Sequence, residues 1–104
     1  MSETTYKLAG SVQSVCDLFQ ALAGHELLGL SPGEIAKAID VSPAWVSRTL
    51  PPLSATGFVE QVPGTNRWRL GVKFVRIGMT VITSHNNAMQ QLQDVGRRYS
   101  ITHQ

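Results

Sequence analysis

Residues 31–50, SPGEIAKAIDVSPAWVSRTL, decide the fold because one helix-opening pattern occurs in them twice. Ser31 is followed by a proline and, three residues later, by Glu34. The hydroxyl and the carboxylate can then form a reciprocal capping box, with the proline at the first helical position. The same Ser-Pro pair returns at Ser42, after the first helix runs out at Asp40. This spacing predicts two short helices separated by a tight turn.

Each of the two helices has an apolar stripe at helical spacing. The first stripe contains Ile35, Ala36 and Ile39, and the second contains Val46, Leu50 and Leu53. The free side of the second helix has small or basic residues instead, namely Ala44, Ser47 and Arg48, with Trp45 flanking them. This pattern is typical of a helix-turn-helix whose second helix faces a ligand such as DNA.

Two consecutive prolines, Pro51 and Pro52, follow directly on this second helix. A proline in a helix interior removes a donor and clashes with the carbonyl four residues earlier, at a cost of about 3 kcal/mol. We therefore expect the helix to end or kink near Leu50, with a second short turn starting at Pro52.

The segment before residue 31 predicts a further helix, capped by Ser11 and ended by Gly24. Its expected inward residues are Val12, Val15, Cys16, Phe19, Leu22 and Ala23. Residues 26–30 are then predicted to form an extended connector or a small strand.

The segment after Gly57 predicts a β-hairpin, because residues 58–62 and 67–70 have strand-like composition and flank the turn-forming residues 63–66. Strand alternation places Trp68 and Leu70 on one face, and Arg67 and Arg69 on the other. The first face can pack on the helices, while the second presents two guanidinium groups to solvent or phosphate. These residues predict a basic wing beside the helix-turn-helix.

The last third of the chain predicts two helices. The first spans residues 72–84, and the second follows a cap at Asn86 or Asn87. The apolar stripe of the second, which includes Met89 and Tyr99, is broad enough to need a partner surface.

Composition and charge narrow the function classes. The chain has 104 residues, of which 42% are apolar and 15% charged, so it can bury the core of one domain. Residues 1–41 have two lysines against five carboxylates, whereas residues 42–76 have five basic side chains against Glu60 alone. The basic middle third favours a polyanionic partner.

Other features point away from catalysis, metal binding and membranes. The single Cys16 excludes an internal disulfide and fits a cytoplasmic protein, and no run is apolar enough to cross a membrane. Carboxylates and histidines are scattered, with His25, His85 and His103 in expected loops or tails. We therefore expect no enzyme activity, no cofactor and no metal site.

These elements together resemble the N-terminal domain of the IclR-type transcriptional regulators, over residues 10–78. The most specific matches are SVQSV at residues 11–15, residues 48–50, GFVE at residues 57–60 and the strand end at residues 67–71. The resemblance implies a fold that is mainly α with a small β-hairpin wing, a winged helix-turn-helix plus C-terminal helices. It differs at Asp40, where the family usually has glycine. The chain also stops where the family's effector-binding domain would begin, so no small-molecule effector is expected.

By position, the resemblance implies a tail over residues 1–10, a DNA-binding domain over residues 11–71 and C-terminal linker or dimerisation helices over residues 72–104. The implied recognition helix is residues 42–50, and the implied wing is residues 59–70. The candidate DNA-binding residues are Ser42, Ala44, Trp45, Ser47, Arg48, Thr49, Thr65, Asn66, Arg67, Arg69 and Lys73. The candidate homodimer residues are Val75, Met79, Ile82, Met89, Leu92, Val95 and Tyr99.

Several of these residues also have a plain structural interpretation. Arg48 can be a solvated surface charge or an ion-pair partner of Glu34 or Asp40. Trp45 can cover the turn between the two helices instead of touching DNA. The wing arginines can simply keep an edge strand soluble.

The function predicted from the sequence is a sequence-specific DNA-binding transcriptional regulator, a repressor that reads a palindromic site as a dimer. A phage or mobile element would be a suitable source for so compact a regulator. The alternative is a winged-helix module that docks on a partner protein and has lost specific DNA binding. The two prolines keep this alternative open, because a broken recognition helix would reach bases poorly.

Overall fold

The computed structural model describes residues 10–102, with side chains from residue 11 to residue 98. Residues 1–9 of the predicted tail, His103 and the side chain of Tyr99 lie outside this part of the chain. The elements are α1 (Gly10–Leu22), α2 (Pro32–Ile39), α3 (Pro43–Ala55), β1 (Val59–Gln61), β2 (Trp68–Leu70) and α4 (Val72–Thr102). This order confirms a mainly helical fold with a two-stranded hairpin.

Helix α1 begins at Gly10, so Ser11 lies inside its first turn, and the predicted cap at Ser11 is wrong. Its fully buried residues are Leu18 and Leu22, of which the sequence analysis missed the first. Cys16 is exposed, and so are Val12 and Ala23, which corrects their expected inward position. The buried stripe is thus rotated about the helix axis from the expected one.

Helix α2 starts with the predicted capping box. The Ser31 hydroxyl accepts from the Glu34 amide at 3.1 Å, and the Glu34 carboxylate accepts from the Ser31 amide at 2.9 Å. The helix ends at Asp40, which is left-handed with φ 57° and ψ 56°. Aspartate takes this conformation at modest cost, so the turn forms without a glycine at this position.

Helix α3 begins at the predicted cap, where the Ser42 hydroxyl accepts from the Trp45 amide at 3.1 Å. It continues without interruption to Ala55 and contains Pro51 and Pro52. The expected end near Leu50 and the separate turn from Pro52 are therefore wrong. Both prolines are exposed, so water can reach the backbone groups that lose a helical partner, while Leu53 beyond them still packs on the core.

Strands β1 and β2 form the predicted antiparallel hairpin, with Val59 opposite Leu70 and Gln61 opposite Trp68. The connector before α2 contributes a single bridge, in which Leu30 pairs with Trp68. Residues 26–30 thus form a turn that ends in one strand-like residue, rather than a strand of their own.

The core lies where α1, α2, α3 and the hairpin meet. Its buried residues are Leu18, Leu22, Ile35, Ala36, Val46, Leu50 and Val59. Trp68 and Leu70 pack against this cluster, which confirms the predicted inner face of the second strand.

Helix α4 is one helix of 31 residues where two were predicted. Asn86 and Asn87 lie inside it, so the predicted cap is wrong, and His85 is helical rather than in a loop. No proline interrupts residues 72–102, and asparagine costs only a few tenths of a kcal/mol more than the better helix formers. Residues up to Phe74 belong to one compact unit, and residues from Val75 belong to a second.

Candidate nucleic-acid interface

The outer face of α3 presents the residues predicted to approach DNA. Ser42, Ala44, Ser47 and Arg48 are exposed, whereas Thr49 is half-buried. The opposite face is anchored by Val46 and Leu50, which are at most 2% exposed. Small side chains on the free face allow a helix to approach base edges closely.

Arg48 is the arginine on this face that is available to a ligand. Its side chain makes no hydrogen bond or ion pair with the residues that the structure describes. The ion pair considered between Arg48 and Glu34 does not form, because Glu34 pairs with Arg67. A free, exposed guanidinium can make two parallel hydrogen bonds to guanine or to a phosphate group.

Trp45 is half-buried and packs against the core cluster. The interpretation in which the indole covers the turn between the two helices stays a prediction, since the packing of Trp45 is shown only against the buried cluster. The DNA contact predicted for this residue rests on the part of its ring that remains exposed.

The tip of the wing is held by its own hydrogen bonds. The Thr65 hydroxyl donates to the Val62 carbonyl at 2.8 Å and accepts from the Arg67 amide at 3.1 Å. The Gln61 amide group donates to the Thr65 carbonyl at 2.7 Å. Asn66 is exposed at the tip. The tip therefore presents a neutral, polar and locally braced surface.

The guanidinium group of Arg67, predicted to face solvent or phosphate, is partly exposed and is held by acceptors of the protein. Its Nε donates to the Leu28 carbonyl at 3.0 Å, and its Nη2 donates to the Gly29 carbonyl at 3.0 Å. The same Nη2 lies 2.9 Å from Oε1 of Glu34. The side chain bends back onto the connector before α2, because two carbonyls and a carboxylate there match its donor fork.

Arg69 is likewise occupied. Its Nη2 lies 2.7 Å from Oε2 of Glu60, the residue opposite it in the hairpin, and its Nη1 donates to the Glu26 carbonyl at 3.4 Å. Oppositely charged residues that face each other across two strands attract, so this pair also stabilises the hairpin register. Both wing arginines are therefore paired with acceptors of the protein, while 37% of the Arg67 side chain and 28% of the Arg69 side chain stay exposed.

Lys73 lies in the first turn of α4, with its Nζ 5.7 Å from the centre of the Phe58 ring. Phe74 beside it packs edge-on against Phe19 and Phe58, at centroid distances of 5.0 and 5.9 Å. These aromatic contacts anchor the first turn of α4 beside the wing, with the ammonium group of Lys73 still exposed.

The predicted dimer residues of α4 that the structure describes are all exposed. They are Val75, Met79, Ile82, Met89, Leu92 and Val95. Such a row of apolar side chains on one helix is unusual unless another surface covers it.

Glu34 is the titratable group whose environment is most distinctive. The Ser31 amide that donates to its carboxylate lowers the pKa of Glu34, and the nearby Arg67 lowers it further. The role of Glu34 as partner of Arg67 was missed by the sequence analysis. The two residues are 33 positions apart, so no local pattern in the sequence indicates the pair.

Among residues 10–102 no cluster of three potential metal ligands occurs. In the same part of the chain, no helix is both long and apolar enough to span a membrane.

Comparison with solved structures places this fold among winged-helix proteins. HmgR from Pseudomonas aeruginosa, an IclR-family regulator, is 31% identical over 71% of this chain, with a TM-score of 0.62. The chain spans 30% of the length of HmgR. No protein-family model matches the sequence, and no curated protein is significantly similar to it.

Two mutant structures of ZitR from Lactococcus lactis are also similar. The first is 17% identical with a TM-score of 0.47, covering 93% of this chain and 81% of ZitR. The second is 18% identical with a TM-score of 0.40, covering 88% and 84%. The likeness to HmgR shows that this chain has the winged-helix fold of transcription regulators.

Proposed function

We propose that this chain is a sequence-specific DNA-binding regulator of transcription, a repressor that occupies a palindromic site as a dimer. The observation that carries the proposal is the outer face of α3, where Arg48 is exposed beside Ser42, Ala44 and Ser47 and has no ion pair among the described residues. In a helix-turn-helix this is the face that enters the major groove. The likeness of the fold to HmgR supports the same function.

The direct contacts fall into two groups. Arg48 and the small residues of α3, with Trp45 and Thr49 at the edge, read bases. Thr65 and Asn66 at the wing tip, and Lys73 at the start of α4, meet the DNA backbone. Arg67 and Arg69 belong to the same wing, but their guanidinium groups are occupied by protein acceptors.

The dimer is formed by α4 in this proposal. Its apolar residues Val75, Met79 and Ile82 recur at spacings of four and three, the repeat by which two helices pack together. Two copies then place their α3 helices in half-sites about one helical turn apart, or a multiple of that distance.

Continuity of α3 favours this proposal over the alternative of a protein-docking module. That alternative depended on Pro51 and Pro52 breaking the recognition helix, and the helix runs through them to Ala55. Salt dependence separates the two functions. Binding through several arginine and lysine contacts weakens steeply as salt rises, whereas apolar docking does not.

The test is a selection from a random-sequence DNA library with purified protein at two salt concentrations, repeated with Arg48→Ala. We expect a palindromic motif in the wild type that loses definition at one position of each half-site in the variant. Lys37→Ala is the control, since it removes the same charge from the exposed face of α2 and should leave the motif unchanged. Failure of the wild type to select any motif, with weak binding abolished by salt, would overturn the proposal.

A further inference from the structure

Arg67 connects three parts of the winged helix through its main chain and its side chain. Its carbonyl accepts from the Val62 amide at 2.8 Å, and its amide donates to the Thr65 hydroxyl at 3.1 Å, so its backbone closes the wing tip. Its side chain meanwhile reaches the connector before α2 and Glu34 in the first turn of α2. One residue thus joins the wing tip to the first helix of the helix-turn-helix.

The wing needs such a tie because its two strands are only three residues long. A two-stranded hairpin of this size is marginal by itself in water. The Leu30 and Trp68 bridge and the contact of Arg69 with the Glu26 carbonyl hold the base of the wing. Arg67 lies one residue nearer the tip of the wing than Trp68, and its amide donates to the Thr65 hydroxyl there.

The partners of Arg67 also make it poorly suited to bind phosphate. Its guanidinium faces two carbonyl oxygens and a carboxylate, and that carboxylate is itself held by the Ser31 amide at 2.9 Å. A phosphate group would have to displace Glu34 from this arrangement. Arg48, exposed and unpaired in the described part of the chain, meets no such obstacle.

We propose that Arg67 is a positioning residue, which sets the wing tip against α2 for DNA binding and does not itself contact phosphate. The inference rests on the proposed function. It assigns the wing's contribution to DNA affinity to neutral contacts at Thr65 and Asn66. The positive charges that bind phosphate then belong to other residues.

Salt dependence tests this assignment, because each phosphate contact adds about 0.9 to the slope of log affinity against log salt. The probe is a fluorescein-labelled duplex of about 30 base pairs, long enough for three helical turns, titrated by fluorescence anisotropy. The wing tip is uncharged, so displacing it weakens binding without changing the slope. We expect Arg67→Gln to bind DNA roughly three- to tenfold more weakly, with the same salt slope as the wild type. This factor corresponds to the loss of one or two neutral hydrogen bonds.

Two further variants sharpen the test. Arg67→Lys keeps the charge but cannot reproduce the guanidinium fork, so it should weaken binding as the glutamine variant does. Lys73→Gln is the matched control, which removes a lysine assigned to the DNA backbone and should lower the slope by about 0.9. Amide hydrogen exchange at Leu30 and Trp68 should be faster in both Arg67 variants, because their bridge loses its neighbouring support.

Three results would overturn the inference. A lower slope in Arg67→Gln, restored by lysine, would assign Arg67 to phosphate. Unchanged affinity and slope in Arg67→Gln would mean that Arg67 has a purely structural role and does not affect DNA binding. Tighter binding by Glu34→Gln, which keeps the capping box but relaxes the ion pair, would mean that Glu34 withholds Arg67 from DNA. If wild type and Lys73→Gln both bind the duplex without salt dependence, the proposed function itself fails instead.

Discussion

Leu30 and Trp68 exchange two backbone hydrogen bonds of 2.8 Å, which join the connector before α2 to the second strand of the wing. The approach is close enough that the residue before Leu30 has to be glycine. Gly29 is buried with φ +71°, and a Cβ there would lie 2.6 Å from the Trp68 carbonyl oxygen. The wing is thus fixed to the helical part of the domain by backbone contact.

Gly29→Ala should therefore destabilise the protein strongly. Alanine pays about 1 kcal/mol for the left-handed backbone, and the clash with a strand carbonyl raises the total to roughly 3 kcal/mol or more. Gly24→Ala is the control, since Gly24 also has positive φ but no atom within 4 Å of the added methyl. Urea denaturation of both variants measures the difference. Equal losses of stability in the two variants would show that the close approach of residue 29 to Trp68 does not affect the free energy of unfolding.

Pro52→Ala should stabilise the protein, because α3 runs through Pro52. Alanine restores an amide donor for the Arg48 carbonyl and removes the ring clash. A smaller effect opposes these gains, because alanine restricts the unfolded chain less than proline does. The expected net gain is about 2 kcal/mol in the free energy of unfolding by urea denaturation. Pro63→Ala in the wing turn should instead lose roughly 0.5 kcal/mol. A loss of stability in Pro52→Ala would contradict a helix that is strained by its prolines.

The stability contributed by Glu34 should disappear in acid. Hydrogen bonds from Ser31 and the charge of Arg67 hold the pKa of Glu34 below its ordinary value of 4.5. A carboxyl with a lowered folded-state pKa stabilises the fold above that ordinary value and loses the effect as pH falls through the folded pKa. The difference in melting temperature between wild type and Glu34→Gln should be constant above pH 4.5 and shrink below it. A difference independent of pH would contradict an ionised Glu34 in the folded protein.

A charge on the apolar stripe of α4 should break the proposed dimer. Ile82→Glu places a carboxylate among Val75, Met79 and Met89, where burial against a second copy would cost several kcal/mol. Ser84→Glu adds the same charge at an exposed position of the helix that has no candidate dimer residue one turn away, and serves as the control. Sedimentation equilibrium should find a dimer for wild type and control, and a monomer for Ile82→Glu. A monomeric wild type would remove α4 from the proposal.

Features that depend on a few neighbouring residues were predictable. The capping box of Ser31 and Glu34, the cap at Ser42 and the turn at Asp40 all occur where local chemistry places them. Each is a hydrogen bond or a backbone angle decided within four residues. The two helices and the order of the elements followed from these signals.

Predictions were less accurate where a local sequence signal competes with the tertiary packing of the same element. Pro51 and Pro52 indicate a break, but the packing of Leu53 beyond them keeps the helix intact. Asn86 resembles a cap, but it lies inside a continuous helix. Cys16 fits an apolar stripe, but the helix turns Leu18 inward instead. In each case the outcome depends on which surface packs against the element, and the sequence pattern does not contain that information.

The helix-turn-helix, the hairpin and the exposed position of Arg48 were predictable from the sequence, because helix caps, turns and strand alternation act over short distances. The partners of the wing arginines, in contrast, depend on the tertiary structure. Arg67 meets Glu34 across 33 residues and Arg69 reaches the carbonyl of Glu26 across 43, so both bonds exist only after the wing has folded onto the connector. Whether a charge is free for a ligand depends on which acceptors the fold brings beside it, and that is a property of the packed chain.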